Sequence, residues 1–162
     1  MTAAMGRQPE REGWRLSLAD LAGAWMLRRR IAHADGTVAT LEGSCVFEAD
    51  GEGLRQVERG TLRLGGRALE ARQAYLWRPG PEVRFADDRA FHPVGRGIRP
   101  EARHLCGADV YEVRYGFEAL AGGRWTSEWR VRGPRKDYAM TSAYARAAAC
   151  GGGDGGASKG SG

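Results

Sequence analysis

Apolar and polar residues alternate along most of the chain with a period of two. In the segment 109–117 the apolar positions share one face, and they are Tyr111, Val113, Tyr115 and Phe117. The segments 70–78 and 124–132 show the same alternation, with charged residues on the opposite face. A period of two is that of a half-buried β-strand, whereas an amphipathic helix repeats about every 3.6 residues. The pattern therefore predicts strands.

Short turn signals separate these runs. They include Asp35-Gly36, Asp50-Gly51, Gly65-Gly66, Gly122-Gly123 and Gly133-Pro134. Such spacing predicts about nine or ten strands joined by hairpins, each with one apolar face. A series of hairpins this long packs as two sheets or closes on itself, and closure removes both exposed edges. We therefore predict an all-β fold, a closed antiparallel up-and-down barrel, with a sandwich as the alternative.

The two ends of the chain differ from this middle part. Residues 1–15 are polar and irregular, which predicts a flexible arm. The segment 17–23 predicts one short helical turn with Ser17 as its cap. The barrel domain is expected over residues 16–147. Residues 148–162 are rich in glycine and are expected to be disordered, because they cannot bury enough apolar surface.

Charge and cysteine content narrow the classes of function. The net charge is +5, and only Lys136 and Lys159 among the 25 basic residues are lysines. The arginines are interleaved with acids, which disfavours a nucleic-acid interface. No apolar run approaches the roughly 20 residues of a membrane helix, and the N-terminal residues lack the apolar core of a signal peptide. The cysteines are odd in number and widely spaced (Cys45, Cys106 and Cys150), so we expect no disulfide framework and a cytoplasmic location.

Two positions at the ends of the strand series suggest how the barrel is closed. Gly23-Ala24-Trp25 follows the predicted helical turn, and Arg146 stands in the last strand. This arrangement resembles the G-x-W motif of lipocalins and other calycins, in which the tryptophan seals one end of the barrel. In that family an arginine of the final strand lies across the indole. The resemblance therefore implies that Arg146 covers Trp25, a cation–π contact of about 0.5–2 kcal/mol.

A wider set of positions carries a second resemblance. It comprises Gly23, Trp25, Gly43, Phe47, Glu58, Gly60, Arg72, Tyr75, Trp77, Phe85, Phe91, His92, His104, Cys106, Asp109, Tyr111, Trp129, Val131, Gly133, Pro134, Lys136, Asp137, Tyr138, Tyr144 and Arg146. The set resembles a family of lipocalin-like domains of unknown function, over about residues 18–146. The resemblance implies a calycin-type barrel and supplies no activity, ligand or cofactor.

The first candidate site is His104-x-Cys106-x-x-Asp109, with His92 one hairpin earlier. Two imidazoles, a thiolate and a carboxylate could hold zinc or iron, but the spacing fits no closed zinc motif, and we predict no metal. The same groups could perform acid–base chemistry near neutral pH. The alternative is a structural polar network at the barrel mouth.

Arg72, Tyr75 and Trp77 form the second candidate site. An inward Arg72 could bind a carboxylate or phosphate, but strict alternation places it opposite Tyr75 and Trp77 unless the strand contains a bulge. The third candidate is Lys136, beside the Gly133-Pro134 turn, which could pair with an anion, Asp109 or Glu58 in the mouth. It is equally consistent with an exposed charge.

These sites lead to three hypotheses of function. The favoured one is a barrel that binds a small, largely apolar molecule with an acidic or polar group. Its candidate ligand-binding residues are Arg72, Tyr75, His92, His104, Tyr111 and Lys136. The alternative is an enzyme in which His104 or His92 acts as acid–base group with Asp109 as orienter. The third is an arginine-rich interaction domain. The sequence predicts no particular cofactor, reaction or oligomeric state.

Overall fold

The computed structural model describes residues 13–148 and consists almost entirely of β-strands. The ten strands are β1 (Gly23–His33), β2 (Val38–Asp50), β3 (Gly53–Leu64), β4 (Arg67–Arg78), β5 (Glu82–Phe85), β6 (Ala90–Pro93), β7 (Glu101–Cys106), β8 (Asp109–Gly116), β9 (Arg124–Arg132) and β10 (Asp137–Arg146). Two 3-10 turns accompany them, Leu18–Asp20 and Leu120–Gly122. The predicted number and kind of elements are confirmed.

All ten strands belong to one antiparallel sheet with the order β6-β5-β4-β3-β2-β1-β10-β9-β8-β7. The last strand returns to the first, and their register runs from Trp25↔Arg146 to His33↔Tyr138. A sandwich would need two sheets, so the sandwich alternative is wrong. The up-and-down meander follows because every connection is a short hairpin or loop, which joins neighbouring antiparallel strands.

The barrel is nearly closed rather than closed, which corrects the prediction. No ladder joins β6 to β7, which are the two edge strands of the sheet, and β6 ends at Pro93, which has no backbone N–H to donate. Side chains fill this seam instead. The rings of Phe85 and Phe91 lie 4.2 Å apart between centroids, and Phe91 lies 5.1 Å from His104.

One end of the barrel is sealed around Trp25. This residue is 1% exposed, and its indole Nε1 donates a hydrogen bond of 2.8 Å to the carbonyl of Leu21. Trp125 packs edge-on against it at 6.2 Å. The Arg146 guanidinium lies over the indole at 4.0 Å from the ring centre and donates to the carbonyls of Asp20 and Ala22. The end where β1 begins is therefore the closed end.

The opposite end is the mouth. Because β1 starts at the closed end and neighbouring strands are antiparallel, the connections that follow β1, β3, β5, β7 and β9 all lie at the mouth. Side chains on the inner face run from Trp25 and Leu27 at the closed end to Ile31 near the mouth. The lumen therefore has a sealed, apolar base and one open end.

The ends of the described chain differ in part from the predicted boundaries. Trp14 belongs to the predicted arm, yet it packs against Phe117 at 5.8 Å, and its carbonyl accepts a hydrogen bond from the Gly97 N–H. Ser17 precedes the first 3-10 turn as predicted, but its side chain makes no capping hydrogen bond. The rest of the predicted arm, residues 1–12, and the predicted tail from residue 149 onward lie outside the described residues.

Within residues 13–148 no helix is long and apolar enough to span a bilayer.

Candidate functional site

A cavity of about 340 Å³ occupies the mouth half of the barrel. Its walls are largely apolar and aromatic, and they include Ile31, Leu41, Tyr75, Phe91, Trp129 and Met140. Small-molecule sites in proteins are concave, mostly apolar spaces of about 300–1,000 Å³ with a few polar groups that fix orientation. This cavity lies at the small end of that range.

An ion pair forms the floor of the cavity. Arg29 Nη2 donates a hydrogen bond of 2.8 Å to Glu58 Oε2, and the two side chains are only 11% and 4% exposed. Both residues also border a smaller space of about 30 Å³ toward the closed end. The pair therefore separates the ligand-sized cavity from the packed base of the barrel.

The pair is also hydrogen-bonded to three other lumenal side chains. Arg29 Nε donates to Ser142 Oγ at 2.7 Å, and Arg29 Nη2 also donates to the Tyr144 hydroxyl at 3.1 Å. That hydroxyl donates to Glu58 Oε1 at 2.6 Å, and Gln56 Nε2 donates to the same oxygen at 2.8 Å. Buried charges are tolerated when they are paired and hydrogen-bonded in this way.

The network continues to the closed end of the barrel. Gln56 Oε1 accepts a hydrogen bond of 2.7 Å from Trp77 Nε1, and Gln56 is itself buried. The Tyr144 ring stacks on Trp125 with the planes parallel and the centroids 3.7 Å apart. The orientation of Glu58 is therefore fixed by groups from four strands, Arg29 on β1, Gln56 on β3, Tyr144 on β10 and, through Gln56, Trp77 on β4.

The pKa shifts in this network follow from burial and charge. Burial alone would lower the pKa of Arg29, but its interactions with Tyr144 and Glu58 outweigh burial and raise that pKa above its usual range. Burial, with the Glu58 charge, raises the pKa of Tyr144 and that of the Cys45 thiol. The same two causes raise the pKa of Tyr75 to about 12. Arg29 is thus charged and these tyrosines neutral at physiological pH.

Two glycines on the inner face open the wall beside the ion pair. Gly43 and Gly60 are directly paired between β2 and β3, and Gly60 is opposite Ala71 on β4. A Cβ added at Gly43 would lie 1.9 Å from the backbone carbonyl oxygen of Arg59, so no larger residue fits without moving the strand. Of the three residues in this row, Ala71 borders the cavity.

Four of the predicted ligand-binding residues lie at the cavity or its mouth, and one of them, Arg72, borders it from the outward face of β4. Tyr75 and Tyr111 border the cavity. Lys136 lies at the mouth, where its Nζ donates a hydrogen bond of 2.7 Å to the Tyr111 hydroxyl and lies 3.4 Å from Asp109 Oδ2. The hydrogen bond to Tyr111, helped by Asp109, raises the pKa of Lys136. The structure therefore brings Lys136, Tyr111 and Asp109 together.

Arg72 does not point into the lumen, which was the ligand-binding position considered for it from the sequence. It is exposed and stands opposite Arg59, in an unbroken register between β3 and β4. Without a bulge, alternation turns it away from Tyr75, even though the residue borders the cavity. The arginine whose side chain enters the lumen is Arg29.

His92 is buried beside the cavity and does not border it. Its Nδ1 lies 3.0 Å from the Pro93 carbonyl oxygen, and its Nε2 lies 3.2 Å from the Tyr115 hydroxyl. Burial lowers the pKa of His92 from about 6.5 to about 4. The imidazole is therefore neutral at physiological pH, with the Nδ1 proton donated to the carbonyl and Nε2 accepting from Tyr115.

The predicted cluster of His104, Cys106 and Asp109 is not assembled. His104 packs against Phe91 and Phe85, Cys106 is exposed, and Asp109 pairs with Lys136. The acid–base hypothesis requires a hydrogen bond between His104 and Asp109, and the structure has none between these two residues. Within residues 13–148 no three His, Cys, Asp or Glu side chains are grouped closely enough to hold a metal ion.

Sequence reasoning passed over Arg29 because it lies in the run Arg28-Arg29-Arg30, which looks like a charged surface. The signal that identifies it is alternation from Trp25, since Trp25, Leu27, Arg29 and Ile31 share one face. Glu58 was considered only as a partner of Lys136. Its actual partner is Arg29, two strands away in the same sheet.

The fold and the lumen define a calycin-type, lipocalin-like barrel. The chain belongs to the family of unknown function DUF6314, whose family profile matches residues 21–146. The sequence comparison with curated proteins gave no match.

Solved structures with a similar fold include the S-type phycobiliprotein lyase CPES from Guillardia theta. It has 9% sequence identity and a TM-score of 0.59, and the match covers 88% of this chain and 99% of that chain. A DUF3598 family protein of unknown function from Nostoc punctiforme has 10% identity and a TM-score of 0.54. That match covers 87% of this chain and 53% of the other. At these identities the likeness concerns the fold.

Proposed function

We propose that the barrel binds a small, largely apolar molecule in the mouth half of its lumen, with a polar group of that molecule directed to Arg29. The observation that carries the proposal is the 340 Å³ cavity, with aromatic and aliphatic walls and one polar floor. An apolar body would be buried against Phe91, Trp129 and Met140, at about 25 cal/mol per Å² of apolar surface removed from water.

The mouth would contribute the second set of contacts. Tyr75 and Tyr111 present hydroxyl groups at the cavity wall, and Lys136 stands next to Tyr111 at the entrance. A phycobiliprotein lyase with a similar fold supports the idea that such a barrel can act on a small-molecule group. The cavity volume favours a ligand smaller than a tetrapyrrole, and tetrapyrroles therefore serve as a comparison class.

The test is a thermal-shift and calorimetric screen of aromatic acids and ketones, fatty acids and their neutral analogues, and tetrapyrroles. A compound at 100 times its dissociation constant stabilises the folded state by about 2.7 kcal/mol. We expect compounds with a compact apolar body to stabilise the protein. A screen in which none of these classes does so overturns the proposal.

Two matched variants locate the site. Ala71 borders the cavity, so Ala71→Phe fills part of it, whereas Ala68 is exposed on the same strand and Ala68→Phe leaves the cavity unchanged. We expect Ala71→Phe to abolish the shift and Ala68→Phe to retain it. Equal shifts in both folded variants would show that binding takes place elsewhere.

A further inference from the structure

We infer that the lumen selects a neutral ligand whose polar group is a carbonyl-type hydrogen-bond acceptor, and that it discriminates against a carboxylate of the same shape. The inference rests on the proposed function and specifies the ligand class for the same cavity. It narrows the expectation of a ligand with an acidic or polar group to the polar, uncharged case.

The charge of Arg29 is already compensated before a ligand enters. Glu58 lies 2.8 Å from the guanidinium, and both Glu58 oxygens accept hydrogen bonds from Arg29, Tyr144 or Gln56. At the mouth Lys136 contacts Asp109, and Arg72, which also borders the cavity, lies on the exposed, outward face of β4. The floor and the mouth are thus each close to neutral.

The Arg29 guanidinium also lacks two nitrogens with free N–H groups, which a bidentate contact with a carboxylate needs. A bidentate arginine–carboxylate pair uses N–H groups of two nitrogens. Nε is engaged by Ser142, and Nη2 by Glu58 and Tyr144. Nη1 makes no hydrogen bond with any residue between 13 and 148, and it is not sealed off from solvent. One nitrogen of Arg29 is therefore free to donate to a ligand.

These two facts favour a neutral acceptor. A ketone, amide or ester carbonyl accepts a hydrogen bond from Nη1 and adds no charge. A carboxylate in the same place would bring a net negative charge into an apolar cavity and would stand close to Glu58, where like charges repel. The free-energy cost of removing the carboxylate from water would be offset by hydrogen bonding to one nitrogen only.

The experiment compares matched ketones and carboxylates by calorimetry at neutral pH. Acetylnaphthalene is compared with naphthoate, and methyl nonyl ketone with decanoate, so that the apolar body is constant within each pair. We expect each ketone that binds to do so at least about tenfold more tightly than its carboxylate, a difference of about 1.4 kcal/mol.

Glu58→Gln provides the decisive variant. It keeps the shape and most hydrogen-bonding capacity of the side chain but leaves the Arg29 charge uncompensated, so the preference should move toward the carboxylate by at least about tenfold. Glu42→Gln is the matched control, because Glu42 is exposed on the outer face of β2 and should leave the preference unchanged.

The outcomes separate this inference from the proposed function. Tighter binding of the carboxylates to the wild-type protein overturns the inference and leaves the proposed function intact. An unchanged preference in folded Glu58→Gln also overturns it. If that variant does not fold, the wild-type comparison decides alone. Failure of every compound, in these pairs and in the broader screen, removes the proposed function and the inference with it.

Discussion

Arg29 Nη2 and Glu58 Oε2 lie 2.8 Å apart although their strands, β1 and β3, are separated by β2. Arg29 is registered with Leu41 and Glu58 with Cys45, and the inward position between these two on β2 is Gly43. The two long side chains therefore meet above a residue that has no side chain. A Cβ added at Gly43 would meet the backbone of Arg59 rather than the ion pair, so the glycine serves the close approach of β2 and β3.

Removal of one member of the pair should destabilise the fold strongly. Glu58→Ala leaves a buried guanidinium without its counter-charge, and breaking a buried pair in this way costs about 3–5 kcal/mol. The free energy of unfolding is measured with urea. We expect the double variant Arg29→Met, Glu58→Leu to be more stable than Glu58→Ala. A Glu58→Ala protein within about 0.5 kcal/mol of wild type would contradict this account.

Gly43 should tolerate no side chain. In Gly43→Ala the new Cβ would lie 1.9 Å from the Arg59 carbonyl oxygen, so β2 and β3 must separate. Overpacking of this kind costs about 1–3 kcal/mol. Gly122→Ala is the matched control, because nothing lies within 4 Å of its added Cβ. Similar unfolding free energies for the two variants would show that the close approach at Gly43 is unimportant.

His92 should make stability depend on pH in the acidic range. Above pH 6.5 the imidazole is neutral in both states, whereas below it the unfolded chain takes up a proton that the folded protein, with a pKa of about 4, does not. Stability is thus lost as pH falls from about 6.5 to 4, by up to about 1.4 kcal/mol per pH unit and roughly 3 kcal/mol in all.

The measurement is the unfolding free energy of wild type and of His92→Gln across this range, since the amide can keep both hydrogen bonds but does not titrate. The difference between the two proteins should change with pH below 6.5 and level off below 4. Parallel curves would mean that His92 is protonated in the folded state as easily as in the unfolded chain.

Arg146 should contribute to the closed end through its contact with the Trp25 indole. Arg146→Ala removes a cation–π contact and two hydrogen bonds to backbone carbonyls, and we expect a loss of about 1–2 kcal/mol in unfolding free energy. Arg124→Ala, on the exposed outer face of the neighbouring strand, should change stability by less than about 0.5 kcal/mol. Equal losses of unfolding free energy in the two variants would mean that the effect of Arg146→Ala comes from the change in net charge alone.

The two described cysteines should differ sharply in reactivity. Cys45 is fully buried, and burial raises the pKa of its thiol, whereas Cys106 is exposed. In a Cys150→Ser background, iodoacetamide followed by mass spectrometry should modify Cys106 in the native protein and Cys45 only after unfolding. Modification of Cys45 at a comparable rate would indicate that the closed half of the barrel opens readily.

The sequence by itself determined the strands, their faces and their order. The segments around Tyr111 and Trp125 show this, because alternation and turn residues act locally and each hairpin pairs neighbours in the chain. The same alternation was enough to turn Arg72 outward. It could also have placed Arg29 on the inner face, but a run of three arginines concealed that signal.

Only the tertiary structure decided which inward side chains meet. Arg29 and Glu58 share a face with many other residues, and their contact depends on the stagger between β1, β2 and β3. The seam between β6 and β7 is likewise a global result, because these two strands are the two edges of the one sheet. A period of two specifies the face of the strand on which a residue lies. Which residues form a site depends on how the strands are offset from one another in three dimensions.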